Sequence, residues 1–264
     1  MNFYTTVLGT GAAVPALGRH CSSQVVSLNG MRILVDCGES TQEQMRRFHQ
    51  KMQATSLILI SHLHGDHVFG LPGLLSSMHL CGRTEPLDIV SPQGLQKAIT
   101  PMFEFTGNHL QYEIRYHELD SGCFHEVFSN SKCSVKAFPL NHSVPTYGYL
   151  IEEKLRRPDA SFLPGRFAYC CDTAYLESIV PYISNADLLC MESTYASDCE
   201  EQAGHWLHCT ALQAATIAKM ACVKRLMLTH FSARYKDLGV LLDEARSVFP
   251  DTILATEGEQ VAIR

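Results

Sequence analysis

The run Ser61-His62-Leu63-His64-Gly65-Asp66-His67 decides how this chain is read. It follows Leu57-Ile58-Leu59-Ile60, four apolar residues that read as a buried strand, so the polar side chains begin where the strand stops. A spacing of one residue puts His62 and His64 on the same side of a still-extended backbone. Gly65 then permits the sharp turn that brings Asp66 and His67 round to them. Four possible ligands thus share one small volume. A zinc ion takes about four ligands, one of them water in a catalytic site, so the run is too rich for one catalytic ion and too poor for two. Distant residues must complete it. Any one of these side chains alone reads as a strand cap facing solvent; the four together point to metal.

The rest of the composition sets the frame. A chain of 264 residues, 46% hydrophobic, with no Gly/Ser- or Pro-rich linker dividing it, is read as one α/β domain over residues 1–264. Met1-Asn2-Phe3-Tyr4 has no basic segment leading into an apolar one, and no apolar run approaches the length of a membrane span, so a soluble, cytoplasmic protein is expected. Eleven cysteines are scattered without a Cys-x-x-Cys pair, which argues against a secreted disulfide framework and against thiolate zinc, and most of them read as small buried apolar residues. A formal charge of −6 excludes a surface that is everywhere an electrostatic trap for nucleic acid, though not a local basic groove. The thirteen histidines are the compositional oddity, because neutral imidazole is the usual ligand for zinc and similar metals.

Short β-branched or apolar runs predict strands at Tyr4 to Leu8, Gln24 to Leu28, Arg32 to Val35, Ser56 to Ile60, Leu87 to Val90 and Cys133 to Leu140. A second series falls at Thr146 to Ile151, Phe167 to Cys171, Leu188 to Met191, Arg225 to Leu228, Thr252 to Ala255 and Gln260 to Ile263. Helical patterns cover Thr41 to Lys51, Leu71 to His79, Pro92 to Phe103, Ala211 to Ala221 and Lys236 to Phe249. Proximity makes the early strands antiparallel hairpins. Strands with interspersed helices throughout suggest two sheets packed face to face with helices outside, a four-layer αβ/βα sandwich.

The histidine run resembles the signature of the metallo-β-lactamase superfamily, and its continuation, Val68-Phe69-Gly70-Leu71-Pro72-Gly73-Leu74-Leu75, resembles ribonuclease Z in particular. So do Leu8-Gly9-Thr10-Gly11, Leu34-Val35-Asp36-Cys37-Gly38-Glu39-Ser40-Thr41-Gln42, and Asn141-His142-Ser143-Val144-Pro145-Thr146-Tyr147-Gly148-Tyr149. Further on, Cys171-Asp172-Thr173, Glu192-Ser193-Thr194-Tyr195 and Thr229-His230-Phe231-Ser232-Ala233-Arg234-Tyr235 are similar too.

The resemblance implies the metallo-β-lactamase fold and a dinuclear centre in which His62, His64 and His142 hold one metal, Asp66, His67 and His230 the other, and Asp172 bridges them. It implies a metal-dependent phosphodiesterase, a tRNA 3′-end endonuclease acting on precursor tRNA, with two zinc ions as cofactor and manganese or iron as alternatives. A small-molecule phosphodiesterase acting on, for example, a cyclic nucleotide, or another metallo-hydrolase of the same fold, is the alternative, and a non-catalytic binding protein of the same fold a remote third reading. Asp66 is expected to orient or deprotonate the attacking water as well as touch metal. In Gly204-His205-Trp206-Leu207-His208-Cys209-Thr210, His208 matches a family histidine that binds phosphate or donates a proton, with His205 as its rival and Glu192 as its support, unless Glu192 is only a partly exposed acid at a strand end. Ribonuclease Z is typically a homodimer, so a homodimer is a further expectation.

Two departures bear on substrate. Many ribonucleases Z carry a long basic arm between the positions of His142 and Asp172, whereas here the stretch from Glu152 to Arg166 reads as an ordinary solvated connection. In Pro15-Ala16-Leu17-Gly18-Arg19-His20, the lysine common in the family loop is replaced by Leu17, leaving Arg19 to grip a phosphate. Arg46, Arg47 and Lys51 could form another basic patch, although a solvated helix face explains them equally well. The family's His-Ser-Thr reads His208-Cys209-Thr210, which removes a hydroxyl contact.

Overall fold

The computed structural model describes residues 3–120, 125–154 and 163–264. Its strands are β1 (Phe3–Gly9), β2 (Ser23–Leu28), β3 (Met31–Val35), β4 (Thr55–Leu59), β5 (Leu87–Pro92), β6 (Ile114–Leu119) and β7 (His125–Ser129), followed by β8 (Cys133–Pro139), β9 (Tyr147–Glu153), β10 (Arg166–Cys170), β11 (Leu188–Glu192), β12 (Leu226–Thr229), β13 (Thr252–Leu254) and β14 (Gln260–Ala262). They form two seven-stranded sheets, ordered β14-β1-β2-β3-β4-β5-β6 and β13-β12-β11-β10-β9-β8-β7. Each sheet is antiparallel at one side and parallel at the other: β1 to β3 run as hairpins before β3 to β6 align, and β7 to β10 alternate before β10 to β13 align. The expected hairpins and the four-layer arrangement are what the chain adopts.

The period of two along the strands sorts the layers. In β4, Leu57 and Leu59 face the other sheet and meet Val135, Tyr149 and Tyr169 in the central core. Ile58 and Ile60 face outward into a second core with Met45, Leu71, Leu74 and Leu75. The helices covering that face are α1 (Thr41–Arg47), the single turn α2 (Gly65–Val68), α3 (Leu71–Leu80) and α4 (Leu95–Phe105). The other sheet is covered by α5 (Val180–Ile183), α6 (Glu200–Trp206), α7 (Ala211–Met220) and α8 (Gly239–Val248), around a third core containing Leu189, Met191, Ile217 and Leu241. Seven of the ten described cysteines are buried, as small apolar residues would be. Among the described residues no helix is long and apolar enough to cross a membrane.

Several elements differ from expectation for local reasons. The helix expected over Thr41 to Lys51 ends at Arg47, because His49 adopts the left-handed conformation with φ 55°. The helix expected from Pro92 starts at Leu95, since Pro92 closes β5 and Gly94, at φ 104°, turns the chain. Strands β6 and β7 were not anticipated: both are largely unburied, at the ends of their sheets, so neither carries an apolar signature. The stretch expected to replace a long arm falls mostly on residues 155–162, outside the described residues.

Gly65 sits against a side chain and not in a left-handed turn. It opens α2 without a positive φ, and a Cβ there would stand 2.2 Å from the Phe69 ring. Gly70 is tighter still, because its Cβ would lie 2.1 Å from the Gly38 carbonyl oxygen, backbone against backbone. Gly70→Ala should therefore lower stability by about 1–3 kcal/mol or more. Gly204→Ala, in α6 with open space around it, should raise stability by about 0.5–1 kcal/mol. Urea unfolding midpoints check both, and equal shifts would contradict the packing described.

Candidate metal centre

Both sheets end their strands on the same cleft. Asp36 follows β3, His62 and His64 follow β4, His142 follows β8, Asp172 follows β10, Glu192 closes β11 and His230 follows β12. Strand ends hold these side chains on rigid supports, and three of the residues are bent sharply out of the sheet: Asp36, Asp172 and His230 have φ of 55°, 58° and 59°. A left-handed non-glycine residue costs on the order of 1 kcal/mol, and such strain persists where the surroundings over-determine it.

The two sheets meet at Asp172. Its Oδ2 lies 3.5 Å from His62 Nε2 and 3.7 Å from His142 Nε2, while its Oδ1 lies 3.0 Å from His230 Nε2 and 3.4 Å from His67 Nε2. His64 Nδ1 joins the first group, 3.3 Å from His142 Nε2. Asp66 Oδ2 joins the second, 3.4 Å from His67 Nε2 and 3.5 Å from His230 Nε2. It also accepts the Ala13 N–H at 2.8 Å. Five imidazoles and two carboxylates therefore surround two adjacent points that share one carboxylate. Cys171 also approaches the second point, but its thiol donates to Asp172 Oδ1 at 3.2 Å, and burial together with Asp172 pushes its pKa well up.

The outer nitrogens explain why the inner ones face inward. His67 Nδ1 bonds Asp36 Oδ2 at 2.8 Å, and His142 Nδ1 donates to the Leu207 carbonyl at 3.1 Å. Ser61 Oγ donates to Asp36, so its lone pair is free to accept from His62 Nδ1 at 3.0 Å. Thr194 Oγ1 donates to Glu192 and can likewise accept from His230 Nδ1 at 3.0 Å. Each such bond puts the proton outside and a lone pair inside. His62 Nε2 is buried without a hydrogen-bond partner, and burial pushes this imidazole well below its ordinary pKa. Burial raises the pKa of Asp66 and Asp172, yet the facing histidines outweigh it and hold both carboxylates below the usual range. Inward lone pairs, one orphaned ring nitrogen and two buried carboxylates fit divalent cations, to which a buried nitrogen–nitrogen approach of 3.4 Å between His67 and His230 is also suited.

Beside these residues stands His208, whose Nδ1 lies 2.9 Å from Glu192 Oε1. Burial pushes its imidazole down, but the Glu192 carboxylate prevails and raises its pKa to about 9. Glu192 is fully buried, which corrects the alternative of a partly exposed strand-end acid. It accepts from Thr173 N, Cys209 N and Thr194 Oγ1 as well. Cys209 offers no hydroxyl; its thiol donates to the Thr173 carbonyl instead. His205 is exposed and has no bond to the centre, so of the two histidines only His208 is held against it. Arg19, expected to face a phosphate, donates through Nη2 to the Tyr235 carbonyl at 2.6 Å, and Leu17 is fully exposed. Arg47 pairs with Glu43 on an exposed helix face.

A model of the β-lactamase superfamily domain matches residues 31–231. The ribonuclease Z of Azobacteroides pseudotrichonymphae is 41% identical over 280 aligned residues, covering 97% of this chain and 96% of that protein. This chain belongs to the ribonuclease Z family. The ribonuclease Z of Porphyromonas gingivalis is 37% identical over 297 aligned residues, covering 97% of each chain. Both alignments exceed the 264 residues present here, so these ribonucleases Z carry residues that this chain lacks. Among solved structures, the short form of human tRNase Z superposes with a TM-score of 0.84 at 31% identity over 99% of both chains. Membership of the family makes the chain a metal-dependent hydrolase.

The residues facing the cleft, and Glu192 behind His208, are legible in the sequence, whereas the role of Asp36 is not. Asp36 receives Ser61 N, Ser61 Oγ, His67 Nδ1 and Tyr169 Oη, all donors, at 2.7–2.9 Å. An acid directly after a strand as apolar as Ile33-Leu34-Val35 was the available signal. Asp36→Asn keeps the shape but turns an amide N–H₂ on one of these donors whichever way it rotates. Metal affinity should fall about 10–100-fold, read by chelator competition, and an unchanged affinity would refute the support assigned to Asp36.

Proposed function

We propose that this chain is a dinuclear zinc phosphodiesterase that cleaves precursor tRNA at its 3′ end, working as one domain over residues 1–264. The observation that carries the chemistry is the Asp172 carboxylate, with one oxygen toward His62 and His142 and the other toward His67 and His230. The substrate rests on near full-length similarity to proteins named ribonuclease Z and on the likeness to human tRNase Z. His62, His64 and His142 would hold one ion and Asp66, His67 and His230 the other, with Asp172 available to both. An imidazole-rich donor set suits zinc better than a carboxylate-rich one. Two bound divalent ions supply positive charge for the phosphodiester oxygens and bring the pKa of water toward neutrality.

The chain's own residues supply the rest. Asp66, tethered by Ala13 N–H, orients the attacking water or accepts its proton. His208, kept protonated by Glu192, donates to the leaving oxygen through its second ring nitrogen. The cleft, of about 520 Å³, is lined by Asp66, His142, Asp172, His208 and His230 and has the size of a small-ligand pocket, enough for a nucleotide of a longer chain. Fewer residues than the relatives possess argue for weaker phosphate contacts outside the cleft and a shallower salt dependence of RNA binding.

Protein purified without chelators should contain two equivalents of metal by elemental analysis and should cleave precursor tRNA at the 3′ end. Dialysis against a chelator should abolish cleavage and zinc should restore it. Turnover of a small diester with no cleavage of precursor tRNA would remove the tRNA assignment. His208→Ala should lower kcat by about 10²–10⁴-fold with metal content unchanged. Loss of metal in that variant would instead make His208 a ligand.

A further inference from the structure

Trp206 is the single tryptophan of the chain, and it stands 57% exposed at the end of α6, on the wall of the same cleft as His142, Asp172, His208 and His230. A large ring left in water two residues from His208 is not core material. Nor is it loosely placed. The next residue, Leu207, is left-handed at φ 57° and ψ 48°, and its carbonyl receives His142 Nδ1. His208 N donates to the Ala203 carbonyl at 2.9 Å, closing the loop back on the helix. The backbone after the indole is thus tied to the centre at Leu207 and back to its own helix at His208. The Trp206 side chain is met edge-on by His205, with ring centroids 4.9 Å apart and planes at 84°.

From this placement we propose that Trp206 is a stacking platform for the nucleobase of a nucleotide adjacent to the scissile phosphate. The proposal rests on the RNA-cleaving function given above. A chain with a charge of −6 does not hold RNA by a general positive field, and among the described residues that line the cleft there is no arginine or lysine. Stacking supplies about 1–3 kcal/mol per base and tolerates any sequence, because every base has a π face. An exposed indole on the cleft wall is the chemistry that recognises a base and not a bare diester.

The lone tryptophan makes the test direct. Adenosine 5′-monophosphate titrated into the metal-loaded protein should quench indole fluorescence saturably. Ribose 5-phosphate, which lacks the base, should compete for the cleft without quenching. Trp206→Ala should raise KM for precursor tRNA about 5–150-fold, the conversion of 1–3 kcal/mol, and Trp206→Phe should recover part of it. On precursor RNA made abasic on either side of the cleavage site, the Trp206→Ala penalty should shrink for the position that stacks. Absence of quenching at nucleotide concentrations that inhibit cleavage, or an equal penalty on intact and abasic RNA, would overturn the stacking role. If the wild-type protein cleaves no precursor tRNA, the function itself fails, whereas cleavage insensitive to Trp206→Ala defeats only the platform.

Discussion

A single buried carboxylate joins the two halves of this protein. Asp172 leaves the second sheet and faces His62 and His67 from the first, together with His142 and His230 from its own. A buried negative charge costs several kcal/mol unless it is compensated, so its position fixes where the surrounding imidazoles must stand. The left-handed backbone at Asp172, and again at Asp36 and His230, shows what that compensation sustains: strained bends immediately after strands, held by contacts on every side.

Around that carboxylate the polar groups form layers of decreasing exposure. The inner nitrogens and Asp66 face the cleft. Behind them Ser61, Thr194 and the Leu207 carbonyl fix the imidazole protons on the outside. Behind these, Asp36 and Glu192 each gather several donors and terminate the network in the core. Such a network is stabilising only when every member is satisfied, since a partly satisfied one leaves charge in a low dielectric. It follows that the two buried acids belong to the architecture of the site as much as the residues that face it.

The same economy of placement runs through the loop from Gly204 to Thr210. Thr210 caps α7 in a reciprocal box with Gln213. His208 pairs with Glu192, Leu207 anchors His142, and Trp206 presents its ring to the cleft. One short connection therefore serves helix start, proton donor, ligand orientation and cleft wall. Backbone bonds hold it at Leu207 and His208, and the Thr210 cap holds its end.

The sequence by itself determined the alternation that separates the layers, the strand ends that carry His62, His142, Asp172 and His230, and the crowded run after β4. These are legible because apolar periodicity and clustered ligand types are local properties of the chain. Edge strands β6 and β7 were not legible, since strands with little burial leave no such pattern. Only the tertiary structure decided that Glu192 is buried, that Arg19 Nη2 bonds the Tyr235 carbonyl, that Gly65 has no left-handed turn, and that His208 is bonded to Glu192 at the centre. Each of these depends on what a residue meets from a distant part of the chain, and burial, steric clearance and hydrogen-bond partners arise only when the two sheets close on one another.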